Sequence, residues 1–223
     1  MRQTVKENST RISLEIHELG ALNLITVWDG TYLYLEKSSE FTFQNRMYSG
    51  QKKRKLIKPM VCVSTNGMVL DVFDPYPAGS SDGEIFNEII KSSKFSTFFR
   101  PNDIFLFDKG FRESQERLRS KNMIAKILLS APIESKTLDT KSTNLSRLVT
   151  KSRFVIEMVF GGIKKSFKIF THPWMNVEAE HIIFDFKIAF AIHNIDTERS
   201  DSNRVNADDI IRQIKKSIEK PNN

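Results

Sequence analysis

The sequence predicts an α/β domain built on a mixed sheet: three antiparallel strands come first, then parallel strands alternate with helices. Three observations carry this. Residues 22–35 read as one strong strand with large apolar groups on both faces, as a central strand has. Two β-rich runs, 60–64 and 68–73, are separated by Thr65-Asn66-Gly67, and Asn-Gly is the strongest short hairpin signal. Beyond Pro75 the pattern changes: helical segments at 83–94, 112–121, 145–163 and 178–195 are set around strands at 104–107 and 123–131.

Each element has a local reason. In the first strand Asp29, Thr31, Leu33 and Leu35 share one face, and Trp28, Gly30, Tyr32 and Tyr34 share the other. Residues 38–58 are polar and basic and read as a connection. Ser80-Ser81-Asp82 supplies a cap for the helix at 83–94, whose Ile85, Ile89 and Ile90 form an apolar stripe. Ile104-Phe105-Leu106-Phe107 is continuous apolar sequence, which fits a strand buried on both faces and ending at Asp108. Leu145, Leu148, Val149, Ile156, Val159 and Ile163 recur at helical spacing. Residues 132–143 read as a polar connection and 196–206 as a polar, mobile one. This order is the layout of a ribonuclease-H-like fold. The expected division is a lead-in segment at 1–20, one domain at 21–195 and a polar tail at 196–223.

Composition narrows the function classes. A chain of 223 residues is long enough for one domain with a sizeable core. The net charge of +7 favours an anionic partner, of which nucleic acid is the commonest. The single cysteine, Cys62, excludes a disulfide framework within the chain and Cys-rich zinc modules. No apolar run approaches the roughly 20 residues of a membrane span, so no membrane partner is expected. Lys52-Lys53-Arg54-Lys55 reads either as a nuclear address or as a solvated basic loop, and the expected location is the nucleus.

Three carboxylates sit in awkward places. Asp29 interrupts the first strand, Asp108 ends the buried strand, and Glu157 rides on the long helix with Arg153 four residues before it and Gly161 four after. Each has a plain structural reading: a turn for Asp29-Gly30, a strand-end cap for Asp108, an ion pair with Arg153 for Glu157. Together they make a second reading. Strand order places Asp29 beside the carboxyl end of the strand carrying Asp108, where ligand sites of α/β sheets collect. Clustered carboxylates repel without a counter-ion, and hard oxygen ligands suit Mg²⁺ or Mn²⁺. Two such ions would stabilise the attacking and the leaving oxygen of phosphodiester cleavage.

Five ordered blocks carry a resemblance: Trp-Asp-Gly-Thr-Tyr-Leu-Tyr-Leu-Glu-Lys-Ser, Lys-Pro-Met-Val-Cys-Val-Ser-Thr-Asn-Gly-Met-Val-Leu-Asp-Val, Gly-Ser-Ser-Asp, Asp-Lys-Gly-Phe-Arg and Arg-Phe-Val-Ile-Glu-Met-Val-Phe-Gly-Gly-Ile-Lys-Lys. Residues 20–195 with these blocks resemble the catalytic domain of DDE superfamily endonucleases, the transposases of the PIF/Harbinger kind. The resemblance implies a ribonuclease-H-like fold, metal-dependent DNA cleavage, and joining of a 3′ hydroxyl to target DNA. It assigns the metal-binding, catalytic acids to Asp29, Asp108 and Glu157. An aspartate ahead of the middle helix, matched by Asp82, is read as a helix cap and left outside that set. Relatives carry an upstream helical DNA-binding region. With the first acid at position 29 none is expected here, and a separate DNA-binding protein or a second copy of the chain is the expected partner.

DNA contacts are expected from Arg46, Lys52, Lys53, Arg54, Lys55 and Lys58, in a stretch with no acid between Glu40 and Asp71. Tyr48 among them can stack on a base or simply pack. The four histidines show no metal spacing, and nucleophile motifs and a Gly-rich phosphate loop are absent. The second functional reading is a truncated or domesticated binding module of the same fold that holds DNA or a partner without cutting it.

Overall fold

The computed structural model describes residues 10, 13, 23–127, 140–178, 181–200 and 216. The chain enters the sheet at β1 (Ile25–Gly30), where Ile25, Val27 and Trp28 are fully buried. Thr31 and Tyr32 interrupt the ladder, and β2 (Leu33–Tyr34) resumes it. Both halves pair antiparallel with β4 (Arg54–Ser64) in one continuous register, Asp29 against Val61 and Leu33 against Ile57. The single strand expected at 22–35 is therefore one pairing edge with a short break at the residues following Asp29.

The basic connection expected at 38–58 holds more order than its polarity suggests. It contains α1 (Phe41–Arg46), the two-residue strand β3 (Tyr48–Ser49), and the first five residues of β4. Strand β4 begins at Arg54 and not at Met60 because its basic residues flank Leu56 and Ile57, which are buried, and Lys55 snorkels past Tyr48.

β4 and β5 (Val69–Pro77) form the expected hairpin. Ser64 donates its N–H to the Met68 carbonyl at 2.8 Å, and the Asn66 carboxamide oxygen accepts from the Met68 N–H at 3.1 Å. Gly67 has φ +95°, a conformation L side chains rarely adopt, so this turn needs its glycine. At the same turn the Thr10 N–H donates to Thr65 Oγ1 at 2.8 Å. Apart from Thr10 and Ser13, the lead-in segment lies outside the described residues.

Two helices cross from β5 to the next strand. The expected helix at 83–94 is split into α2 (Asp82–Ile89) and α3 (Ser93–Phe98). The break falls at Ser92, whose hydroxyl donates to the Ile89 carbonyl and accepts from the Phe95 N–H, ending one helix and capping the other. β6 (Ile104–Phe107) then pairs parallel with β1. A 3₁₀ turn, Lys109–Ser114, and α4 (Gln115–Ser120) lead to β7 (Ile124–Ile127), parallel to β6. The far end of the strand expected at 123–131 and the connection up to residue 139 lie outside the described residues.

Helix α5 (Thr140–Ser166) is the long helix the apolar period predicts. Helix α6 (Ile182–Ser200) follows a 3₁₀ turn, Asn176–Glu178, and runs through 196–200, where a polar, mobile segment was expected. The remainder of that segment, 201–206, lies outside the described residues.

Reading across the sheet, the order is β5-β4-β1-β6-β7, with the first three antiparallel and the last two parallel to β1. That is the ribonuclease-H-like arrangement. The core has two layers. Ile25, Val27, Leu33, Ile104 and Leu106 pack against Ile156, Val159 and Ile163 of α5 and Phe186 and Phe190 of α6. On the opposite face Trp28, Phe105 and Phe107 meet Ile85 and Phe86 of α2 and Phe95 of α3, with Trp28 and Phe86 edge to face at 4.8 Å. Each fully buried aromatic or aliphatic side chain contributes roughly 1.5–3 kcal/mol. At the opposite end from β1's carboxyl terminus, the buried Asp103 accepts from the N–H groups of Leu24 (3.0 Å) and Arg100 (2.8 Å) and ties β1 to β6.

Candidate metal centre and nucleic-acid face

Strand parity delivers two of the three acids to one place. Asp29 follows Ile25 and Val27 on the face covered by α5, and Asp108 continues the Ile104, Leu106 face of the neighbouring strand. Both lie where β1 and β6 end. Between them stands Arg153 of α5, 7 % exposed. Its Nη2 donates to Asp29 Oδ2 at 3.0 Å, and Nη1 lies 3.8 Å from Asp108 Oδ1. Arg153 pairs with the two aspartates rather than with Glu157, the partner its helix spacing suggested.

Glu157 lies one helical turn beyond Arg153, exposed on the same side of α5. It does not touch Asp29 or Asp108. Among the described residues no three His, Cys, Asp or Glu side chains stand close enough to enclose a metal ion. Gly161, one further turn along, has open space where a side chain would begin. The stripe continues to Lys164, whose amine is held below the usual lysine range by burial and then by the charge of Lys52.

A fourth carboxylate belongs to this neighbourhood. The N-cap of α2 is Ser81, in a capping box with Glu84: the Ser81 hydroxyl accepts from the Glu84 N–H at 3.1 Å, and the Glu84 carboxylate accepts from the Ser81 N–H at 2.7 Å. Asp82 is thus not the cap the sequence suggested. It enters from the opposite face of the sheet and fills a slot between two glycines. A Cβ on Gly30 would meet Asp82 Oδ1 at 3.1 Å, and one on Gly110 would meet Oδ2 at 3.1 Å. These glycines are one residue after Asp29 and two after Asp108. Lys58 Nζ sits 2.8 Å from Asp82 Oδ1 and donates to the Ser80 carbonyl at 2.8 Å. The signal for this was present in the sequence: Ser81-Asp82-Gly83-Glu84 has capping-box spacing, which assigns Ser81 to the cap and leaves Asp82 free.

The electrostatics follow from this crowding. Burial raises the Asp29 carboxyl from 3.8 to about 6. Arg153 opposes that, while the charges of Asp82 and Asp108 add to it, and the Gly30 N–H donates to Asp29 Oδ1 at 2.9 Å. The Tyr32 hydroxyl is raised by burial and then by Asp82 and Asp29. Asp29, crowded by two further carboxylates, calls for a cation, and in this structure the Arg153 guanidinium meets the demand. The donor chemistry, hard oxygens in a partly buried pocket, fits a divalent cation.

The basic stretch divides in two. Arg46, Lys52, Lys53 and Arg54 are exposed. Lys55 is partly covered and donates to the Gln44 carbonyl at 2.6 Å. Lys58 departs from the expected surface position: it is 7 % exposed and serves Asp82. It alternates inward with its strand, and its pairing with Asp82 makes that burial tolerable. Three of the others lie over tyrosine rings. Lys52 lies 5.0 Å over Tyr32, Arg54 5.4 Å over Tyr34, and Lys55 4.6 Å over Tyr48.

The acid pair thus lies at the ends of β1 and β6 of a ribonuclease-H-like sheet, faced by a helix bearing a third acid. The profile of the DDE superfamily endonuclease matches residues 28–194, most of the chain, and the protein belongs to that family. No curated protein matches it. Among solved structures, a piggyBac transposase in a synaptic complex with hairpin DNA is similar over 98 % of this chain and 59 % of that one, at 12 % identity and a TM-score of 0.49. The chain thus spans less than two thirds of that transposase. Among the described residues no helix is long and apolar enough to cross a membrane.

Proposed function

We propose that the protein is the catalytic domain of a divalent-metal-dependent DNA endonuclease of transposase type, within the PIF/Harbinger kind. The observation that carries this reading is the pairing of Asp29 and Asp108 through one buried guanidinium at the ends of two adjacent parallel strands. Asp29 and Asp108 would hold one cation, and Glu157, one turn from Arg153, would help hold a second. Bound Mg²⁺ or Mn²⁺ supplies charge stabilisation at the attacking and leaving oxygens of a phosphodiester.

The chain's own residues prepare that chemistry. Burial of Asp29 and the nearby charges of Asp82 and Asp108 make the pocket receptive to a cation. Arg153 neutralises the pair in its place. Asp82, held by Lys58, fills the gap between the two acid-bearing strand ends. Arg46, Lys52, Lys53, Arg54 and Lys55, with Lys164 of α5, contact the DNA backbone without reading sequence. Lys58 contributes through Asp82. Element-end recognition falls to a separate DNA-binding protein, the site of action is the nucleus, and a second copy of the chain is a further partner.

A nicking assay on supercoiled DNA with Mg²⁺ or Mn²⁺, run beside Asp108→Ala, tests the reading. Wild-type nicking that the substitution abolishes is expected. Equal nicking by both proteins overturns the assignment. A folded wild type that binds DNA, binds no Mn²⁺ by calorimetry and nicks nothing marks the non-cutting module instead.

A further inference from the structure

Three of the four tyrosines in the chain, Tyr32, Tyr34 and Tyr48, sit in the basic patch, each with a cation over its ring. Neutralising phosphates requires lysine and arginine and gives no reason for aromatic rings. Tyr48 leaves its large aromatic side chain 45 % exposed. Tyr34 and Tyr48 stand on opposite sides of the start of β4, Tyr34 paired with Leu56 and Tyr48 with Lys55. Between them lies a groove of about 610 Å³, to which Lys37, Lys53, Arg54 and Lys55 bring positive charge against the single acid Glu36.

The geometry points to this groove as a binding site for an unpaired nucleic-acid strand, its bases stacking on Tyr34 and Tyr48 and its phosphates neutralised by the cations beside them. The inference rests on the DNA-cleaving reading and deepens it. A duplex hides the faces of its bases within its own stack, so it could use only the charges of this groove. An unpaired strand offers both base faces and phosphates, and such strands are held by aromatic platforms set in basic grooves. The position suits a strand leaving the acid site. β2 continues β1 in the same register, and Tyr34 lies five residues past Asp29, roughly 16 Å along the strand at the usual rise per residue. Lys52, over Tyr32, and Lys164, on the stripe running from Arg153, bridge the two regions.

The test measures binding of fluorescein-labelled oligonucleotides, one single-stranded and one blunt duplex of the same sequence, by anisotropy in EDTA so that no cleavage occurs. Tyr34→Ala and Tyr48→Ala are each expected to weaken single-strand binding about tenfold and duplex binding less than about twofold. Tyr34→Phe and Tyr48→Phe, which keep the ring, should bind the single strand as the wild type does, and thermal melting checks that every variant is folded. Alanine variants that bind the single strand like wild type overturn the inference. So does an equal loss for duplex and single strand, or a phenylalanine variant as defective as alanine. A wild type that binds the duplex alone overturns the groove but leaves the endonuclease reading in place. A wild type that binds neither DNA overturns both.

Discussion

Arg153 Nη2 lies 3.0 Å from Asp29 Oδ2, so a helix and a strand 124 residues apart are joined through a buried ion pair at the acid site. Removing one partner of such a pair leaves an uncompensated charge, at a cost of roughly 3 kcal/mol. Arg153→Ala is expected to lose about that much in urea denaturation at about pH 8, and less at about pH 5, where Asp29 takes up a proton. Arg153→Lys should recover only part, because one point charge cannot reach both aspartates as a fork does.

Asp29 itself carries a pH signature. Its folded value of about 6 lies above the ordinary 3.8, so the neutral form is favoured by folding. Its contribution to stability is present below about pH 4 and lost as the pH rises through about 6, amounting at neutrality to roughly 3 kcal/mol against the fold. Asp29→Asn removes this titration but leaves Arg153 with Asp108 as its acid, so between about pH 3.5 and 7.5 in EDTA its melting temperature should fall less with rising pH than that of the wild type. Mn²⁺ should raise the wild-type melting temperature at the higher pH and leave Asp29→Asn nearly unmoved, a measurement independent of cleavage.

The slot around Asp82 predicts coupling. A methyl group added at Gly30 would stand 3.1 Å from Asp82 Oδ1, and Lys58 holds that oxygen so that it cannot yield freely. Gly30→Ala should cost about 1–2 kcal/mol. In the Asp82→Ala background the same substitution should cost markedly less, giving a coupling of about 1 kcal/mol in a double-mutant cycle by chemical denaturation. Additive losses would mean that Asp82 does not constrain Gly30.

Asp103 does different work from the other aspartates, although it too is buried at a strand end. Asp103→Ala strips the Leu24 and Arg100 N–H groups of their acceptor. A loss of about 2–3 kcal/mol in denaturation is expected, with Mn²⁺ affinity unchanged by calorimetry.

What could be read from the sequence follows the range of the interaction. The hairpin was legible because Asn66-Gly67 fixes a turn by itself, and α5 because its apolar period repeats along its length. The placement of Asp29 and Asp108 on one face was legible from strand parity once the order of elements was known. The start of β4 at Arg54 was not, since Arg54, Lys55 and Lys58 mask the inward residues between them and one of these bases is buried. Nor was the pairing of Arg153 with the aspartates: within its helix Glu157 was the nearer partner, and nothing local reveals a carboxylate across the sheet. The split at Ser92 turned on one hydroxyl serving two helix ends, which competes with a continuous apolar stripe. Asp82 lay in between: its position reads as a cap although the capping-box spacing of Ser81 and Glu84 offers the signal against that, while the two glycines it touches are far away in sequence.

The β4–β5 turn touches more than its own strands. A Cβ on Gly67 would meet Val155 at 3.4 Å and Val159 at 3.6 Å, two residues that flank Glu157 on α5 and follow Arg153 closely. The turn is therefore a stop against which the acid-bearing helix rests. For the proposed endonuclease, a screen for loss of cleavage would return Gly67 among its hits, although none of the proposed metal ligands lies there. Because those contacts are ordinary and the strain lies in the φ of +95° at Gly67, trimming Val155 to alanine would not restore such a mutant, and its fault would show as lowered stability in urea denaturation.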